Sequence, residues 1–387
     1  MLHLRRCFIL LNMRSVSILL IALALEGALA QTGKPASLNE ADEYLRKGIA
    51  AQQQNDLNAA IDNYRKALAL NPKLGEARAN LGAALSAAGQ FDAAIAEDTK
   101  ALESVPDNTG VRMNLGLAYY KKGDMKGARA AFAAVHAARP QDVAAAVLLG
   151  YTDIKLNKSS EAAAMLAPLE AGHESNMDLQ YVLAYALIDS GEEAAGLPRM
   201  EKVAKATQSA DAYFVAGTAR LHRREFPEAR ADLDAAIELH GNFPGLYTMA
   251  GQARDALGDT EAAQPAFEQA LKADPRDPTA NLYLGTMRLK QRDLESARPM
   301  LELALQLQPN SPMARLQVAK LNSMTGKYAE AATTLEELEK ADPKWIDPHI
   351  ELAAIYYKLH RPDDGQRERD IVKQIEASQQ QAGPPKQ

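Results

Sequence analysis

The sequence predicts an all-α fold, a solenoid of about ten stacked helix-turn-helix hairpins, and three observations carry that expectation. Apolar residues recur at i, i+3, i+4 and i+7, the period of an amphipathic helix. In residues 278–311, Leu282, Gly285 and Leu289 share one face of a first helix, and Ala297, Leu301, Ala304 and Leu305 share one face of a second. The chain also superimposes on itself when shifted by 34 residues. Gly285 recurs as Gly48, Gly82, Gly116, Gly150, Ala184, Gly217, Gly251, Ala319 and Ala353; Ala297 recurs as Ala60, Ala94, Ala128, Ala162, Gly196, Ala229, Ala263, Ala331 and Gly365. Every step is 34 residues except one of 33, between Ala184 and Gly217. Finally, a proline closes many units, at Pro72, Pro106, Pro140, Pro275, Pro309 and Pro343, where a missing N–H and a bulky ring stop a helix. One hairpin has too little apolar surface to fold alone and must stack on copies of itself. Small residues mark where two helices touch at close range.

The elements follow in order. Residues 1–30 read as a secretory signal peptide: Arg5, Arg6 and Arg14 give a basic start, residues 16–25 an apolar core, and Ala28, Leu29 and Ala30 a small-x-small cleavage site. Met13 is an alternative start, and an uncleaved membrane anchor is the rival reading, although the apolar run is shorter than the about 20 residues that span a bilayer. Gln31 stands where a lipid-anchored leader needs a cysteine. Residues 31–40 are expected as a linker that ends in a capping box, Ser37 with Glu40. Ten repeats over 41–376 begin near 41, 75, 109, 143, 177, 210, 244, 278, 312 and 346. Those at 143, 177 and 210 lose the terminal proline to Glu174, Thr207 and Gly241. Pro168 falls inside an expected second helix, and residues 171–176 form a looser connection. Pro198, Pro265 and Pro299 share one column in the first turns of their helices. In the last hairpin Arg367, Glu368, Arg369 and Asp370 are expected to face water, with Ile371, Val372 and Ile375 turned inward, as suits a cap. The Gln-rich, Gly-Pro-Pro tail, residues 377–387, is expected to be disordered.

The small residue at the helix contact, the aromatic residue or leucine of the second helix (Tyr64, Phe132, Phe267, Leu301), the apolar residue that opens it (Phe91, Phe226, Leu294, Tyr328) and the terminal proline together resemble the tetratricopeptide repeat family. The resemblance covers about residues 41–375. It implies a right-handed superhelix whose first helices line a concave groove, and a role in binding other proteins. It names no particular partner.

Composition narrows the function. The 387 residues are 47% hydrophobic and 24% charged, with a net charge of −6. Without the leader there are 41 basic and 49 acidic residues, or −8. No basic stripe is present, so nucleic acid is not expected as a partner. The single cysteine, Cys7, lies in the leader, which leaves a mature chain with no disulfide, thiol nucleophile or cysteine metal site. No catalytic or phosphate-cradling motif occurs. The seven histidines, His173 and His360 near turns among them, are scattered with no pair at ligand spacing, so neither a metal nor a cofactor is expected. Carboxylates read as solvent-facing i,i+4 partners of Lys and Arg.

What remains is the groove. On the face that the resemblance makes concave stand Met113, Leu117 and Tyr120, then Val147, Tyr151 and Ile154, then Tyr181, Tyr185 and Ile188, then Phe214 and Leu221. Spacing of i, i+4, i+7 puts each set in one stripe. A contiguous apolar and aromatic stripe suits a peptide or helix; it suits packing between neighbouring helices equally. Of the slots of a carboxylate clamp, as in chaperone adaptors that the family includes, only Asn80 matches; Leu45, Ile49, Gly110 and Asn114 fill the others. The asparagine ladder of sugar-transferring relatives also fails, since Asn80 and Asn114 give way to Leu148, Val182 and Val215. The sequence therefore points to an exported, non-enzymatic scaffold, periplasmic or secreted, that binds a protein or peptide and has no membrane-spanning segment once mature. An accessory subunit of a cell-envelope enzyme or polysaccharide/secretion complex is the alternative. The sequence is silent on oligomeric state.

Overall fold

A computed structural model describes residues 36–382. The expected leader and part of the linker lie outside them. Twenty α-helices occupy the described residues, and no strand is among them. They are α1 (Ala36–Gln53), α2 (Leu57–Leu70), α3 (Gly75–Ala87), α4 (Phe91–Ser104), α5 (Thr109–Lys122), α6 (Met125–Ala138), α7 (Val143–Lys155), α8 (Ser159–Leu166), α9 (Met177–Asp189) and α10 (Glu193–Thr207). There follow α11 (Ala210–His222), α12 (Phe226–Glu238), α13 (Leu246–Ala256), α14 (Thr260–Ala273), α15 (Pro278–Lys290), α16 (Leu294–Leu307), α17 (Pro312–Met324), α18 (Tyr328–Ala341), α19 (Ile346–Lys358) and α20 (Pro362–Ala382). The chain divides into two compact units, one ending at Ala219 and one beginning at Arg220. In the first unit each helix from α1 to α9 packs on the next in sequence, and in the second each from α12 to α19 does so. In the first unit α1 also touches α3, α3 touches α5 and α7 touches α9; in the second α13 touches α15 and α17 touches α19. Each unit is thus an α-solenoid of stacked hairpins.

The column of small residues explains how each hairpin closes. A Cβ added to Gly48 would lie 2.5 Å from the Tyr64 ring. At Gly116 it would lie 2.5 Å from Phe132, at Gly251 2.6 Å from Phe267 and at Gly285 2.9 Å from Leu301. The large residue of the second helix, sixteen positions on, therefore fills the space of a missing side chain in the first. All four are fully buried, each worth about 1.5–3 kcal/mol in transfer from water. The alanines of the other column are buried against the same contact.

Turns and caps repeat with the same period. Each of the ten hairpin turns holds one residue in the left-handed region, with φ between 59 and 91°. Glycine fills five of them (89, 123, 191, 258 and 326); Asn55, Asn157, Arg224, Arg292 and His360 fill the rest. The residue after it caps the second helix in several hairpins, as Asp56, Asp124, Asp259 and Asp293 accept from the backbone N–H three residues on. First helices are capped likewise by Asn108, Asp142, Asn176, Asp277 and Ser311. A polar side chain four residues into the first helix donates to the carbonyl of the terminal proline before it: Arg78 to Pro72, Arg112 to Pro106, Asn281 to Pro275 and His349 to Pro343.

Several expectations need correction. Helix α1 already runs from Ala36, so Ser37 lies inside it rather than at an N-cap, and the second half of the expected linker is helical. Pro168 is not within a second helix: α8 stops at Leu166, and Pro168 sits in a 3-10 turn over Ala167–Leu169. Helix α20 extends to Ala382, into the stretch expected to be disordered. In that helix Arg367, Arg369 and Asp370 are exposed, but Glu368 turns inward and is buried. Nor do all carboxylates face solvent, since Asp98, Asp153 and Asp232 are buried as well.

Candidate binding site

In the first unit first helices pack on one another, α1 on α3, α3 on α5 and α7 on α9, and the expected stripe lies on them. Tyr120 of α5 meets Tyr151 of α7 edge to face, with ring centres 5.6 Å apart. Tyr181 and Tyr185 stack on α9 with centres 6.5 Å apart, and the Tyr181 hydroxyl donates to Asp211 at the start of α11. The stripe is therefore continuous from α5 to α11 within this unit.

Its depth is uneven. Met113, Leu117, Tyr120 and Val147 are half-buried. Tyr151, Ile154, Tyr181, Tyr185, Ile188 and Phe214 are buried within the chain, and the first five belong to the largest apolar core of this unit. First helices crowd closely enough that side chains at i, i+4 and i+7 fill the gaps between them. The least buried part of the stripe in this unit is accordingly its α5 and α7 end, where Met113, Leu117 and Tyr120 lean on Phe132 and its neighbours and stay half-buried. Leu221 falls in the second unit and is half-buried there.

Charge is built into the buried end. The Lys155 ammonium lies 5.4 Å from the centre of the Tyr151 ring, and burial pushes its pKa below the usual lysine range. Burial likewise raises Asp211 to about 6, against the opposing effects of the Tyr181 hydroxyl and the Lys155 charge. Burial, then the contact with Tyr120, pushes the Tyr151 phenol up. This face sets aromatic and apolar side chains beside a polar cluster of Lys155, Tyr181 and Asp211.

Two polar sites escaped the sequence reading. Asp98 is fully buried on α4, and neither carboxylate oxygen has a hydrogen-bond partner. Its place is the column of Tyr64, Phe132 and Phe267, so an alignment of the repeats would have exposed the anomaly. Oδ1 lies only 2.0 Å from where a Cβ on Gly82 would stand. Burial without compensation, and secondarily the neighbouring Glu97, pushes the carboxyl up to about 8. In the second unit, Glu339 of α18, His349 of α19 and Glu368 of α20 place their ligand atoms within 4.8 Å of one another. Separations of 10 and 19 residues hide that cluster from any search for ligand spacing.

Models described as tetratricopeptide repeat match residues 84–143, 181–245 and 248–312, 288–355, 41–74 and 63–96. No curated protein matches the chain in sequence. Among solved structures the chain is similar to a tetratricopeptide repeat protein from Parabacteroides merdae, at 16% identity over 69% of this chain and 99% of that one, with a TM-score of 0.49. It is similar to yeast Tom70 at 15% identity, over 89% and 96% of the two chains, with a TM-score of 0.34. A third is YrrB, described as a repeat protein of this kind with an unusual peptide-binding site, at 22% identity over 50% and 97% with a TM-score of 0.43.

Proposed function

The chain belongs to the tetratricopeptide repeat family, a scaffold fold for protein–protein interaction, and from that premise we propose that it is an exported, non-enzymatic adaptor that binds a protein or peptide on the inner face of its first helices. The observation that carries this reading is the half-buried apolar surface of Met113, Leu117, Tyr120 and Val147. These side chains are ordered by the core beneath them yet keep apolar area for a partner to cover, which is how an extended or helical segment is usually gripped. Tyr151 and Tyr185 belong to the core on which Tyr120 and Val147 rest. Export rests on the leader, with its basic start, apolar core and Ala28-Leu29-Ala30 cleavage site; among the described residues no helix is long and apolar enough to cross a membrane.

The test is affinity capture from cell-envelope extract with the mature chain and with a Met113→Ala, Leu117→Ala, Tyr120→Ala variant. Circular dichroism first confirms that the variant keeps its helices, as expected for half-buried positions. Capture of a partner by the parent and its loss with the folded variant supports the reading. Equal capture by both would move the binding surface elsewhere. Export is checked by N-terminal sequencing of the protein from its native cell, with Gln31 expected as the first residue.

A further inference from the structure

The His349 ring is held at both nitrogens by oxygens that accept, a carboxylate on one side and a backbone carbonyl on the other. His349 Nε2 lies 3.1 Å from the Pro343 carbonyl oxygen, which can only accept, so the ring proton sits on Nε2. The lone pair of Nδ1 then faces Glu368 Oε2 at 2.7 Å. A carboxylate oxygen also only accepts. Two acceptors at hydrogen-bond distance, on side chains that are both buried, need a positive charge between them: a proton or a metal ion. A second carboxylate, Glu339, reaches the same spot from a third helix. Together the three side chains offer one imidazole nitrogen and two carboxylate oxygens to one point, and so carry the ligation. The nearby Glu336 does not share the load, because it already accepts from the Tyr356 hydroxyl at 2.8 Å and faces Arg361.

We propose that His349, Glu368 and Glu339 form a binding site for a divalent transition-metal ion, with zinc as the best-fitting chemistry. One imidazole nitrogen and two carboxylate oxygens are a donor set that zinc accepts, with the fourth position left to water. The bond from Nε2–H to a backbone carbonyl is the arrangement that orients a ligating histidine and leaves its other nitrogen free to coordinate. Elsewhere the proline carbonyl is met by Arg78, Arg112 or Asn281, none of which carries a second ring nitrogen. At metal distances of about 2.0–2.2 Å, neighbouring ligand atoms stand about 3.4 Å apart. The His349–Glu368 pair therefore opens by less than about 1 Å, and half-buried Glu339 marks the side from which the ion enters. The ion ties α18, α19 and α20 together, so it clamps the last hairpin to the helix before it.

The experiment is calorimetric titration of the full chain with zinc chloride at pH 7, in two buffers of different ionisation enthalpy, alongside thermal unfolding. One saturable site per chain is expected, with at least one proton released per zinc and a rise in Tm. Glu339→Gln should weaken binding tenfold or more while leaving the metal-free Tm in place. His349→Asn keeps an amide donor for the Pro343 carbonyl, as Asn281 does for Pro275, and should abolish binding in a folded protein. Absence of saturable binding below millimolar zinc, or binding that neither substitution alters, overturns the proposal and leaves only a proton in the site.

Discussion

Asp98→Leu is expected to stabilise the protein by an amount that grows with pH. The two side chains have nearly the same shape, and leucine already fills this column at Leu166, Leu301 and Leu335, all buried. Above Gly150 and Gly285 the leucines occupy the space of the absent Cβ, so the replacement needs no rearrangement of Gly82. The electrostatic part follows from the carboxyl's shift from an ordinary 3.8 to about 8. Between those values the unfolded chain has lost the proton while the folded chain holds it. The unfolded state then binds fewer protons, and stability falls as pH rises, by about 1.4 kcal/mol per unit. Measured from acid below 3.8, the loss is about 2 kcal/mol at pH 5 and about 4 kcal/mol at pH 7. Leucine does not titrate and suffers none of it. Amide hydrogen exchange in α3 and α4 reads the opening free energy where the substitution sits, which matters in a stacked protein that does not unfold as one unit. The advantage of Asp98→Leu over the parent should widen by about 3 kcal/mol from pH 5 to pH 7. Other carboxylates titrate in both proteins and cancel. An advantage that stays constant across this range would refute the reasoning, because it would mean that Asp98 keeps its charge with a compensating partner.

Four further outcomes follow from the geometry. Gly251→Ala would place a Cβ 2.6 Å from the Phe267 ring and should lower stability by about 1–3 kcal/mol in denaturant titration. Gly75→Ala, which meets nothing within 4 Å at the first turn of α3, should raise it by about 0.5 kcal/mol. At the hairpin turns, Gly123→Ala at φ 89° should lower stability by about 1 kcal/mol, whereas Arg292→Gly at φ 60° should leave it unchanged or higher; thermal melts should show a lower Tm for the first and no fall for the second. Finally, the Asp211 carboxyl should titrate near 6 by carbon-13 NMR, and higher in Tyr181→Phe, because the lost hydroxyl had favoured the charged form.

The sequence by itself determined the helices, their period and their pairing. A 34-residue spacing of Gly and Ala, terminal prolines and a recurrent large residue in the second helix are local signals, and each corresponds to one contact inside one hairpin: Gly48 beneath Tyr64, Gly116 beneath Phe132 and Gly285 beneath Leu301. Hairpin closure needs only neighbours in sequence, so it was legible there. Only the tertiary structure decided which faces remain open. Tyr151, Tyr181 and Tyr120 look alike in periodicity, but crowding between successive first helices buries the first two and leaves the third half-exposed. It also decided where charge goes. Glu368 read as a solvent-facing residue of a polar cap, yet the docking of α20 turns it onto His349, and the hydrogen bond from that ring to Pro343 fixes which nitrogen it meets. Burial and convergence of groups from separate helices are properties of the packed chain, and no period in the sequence encodes them.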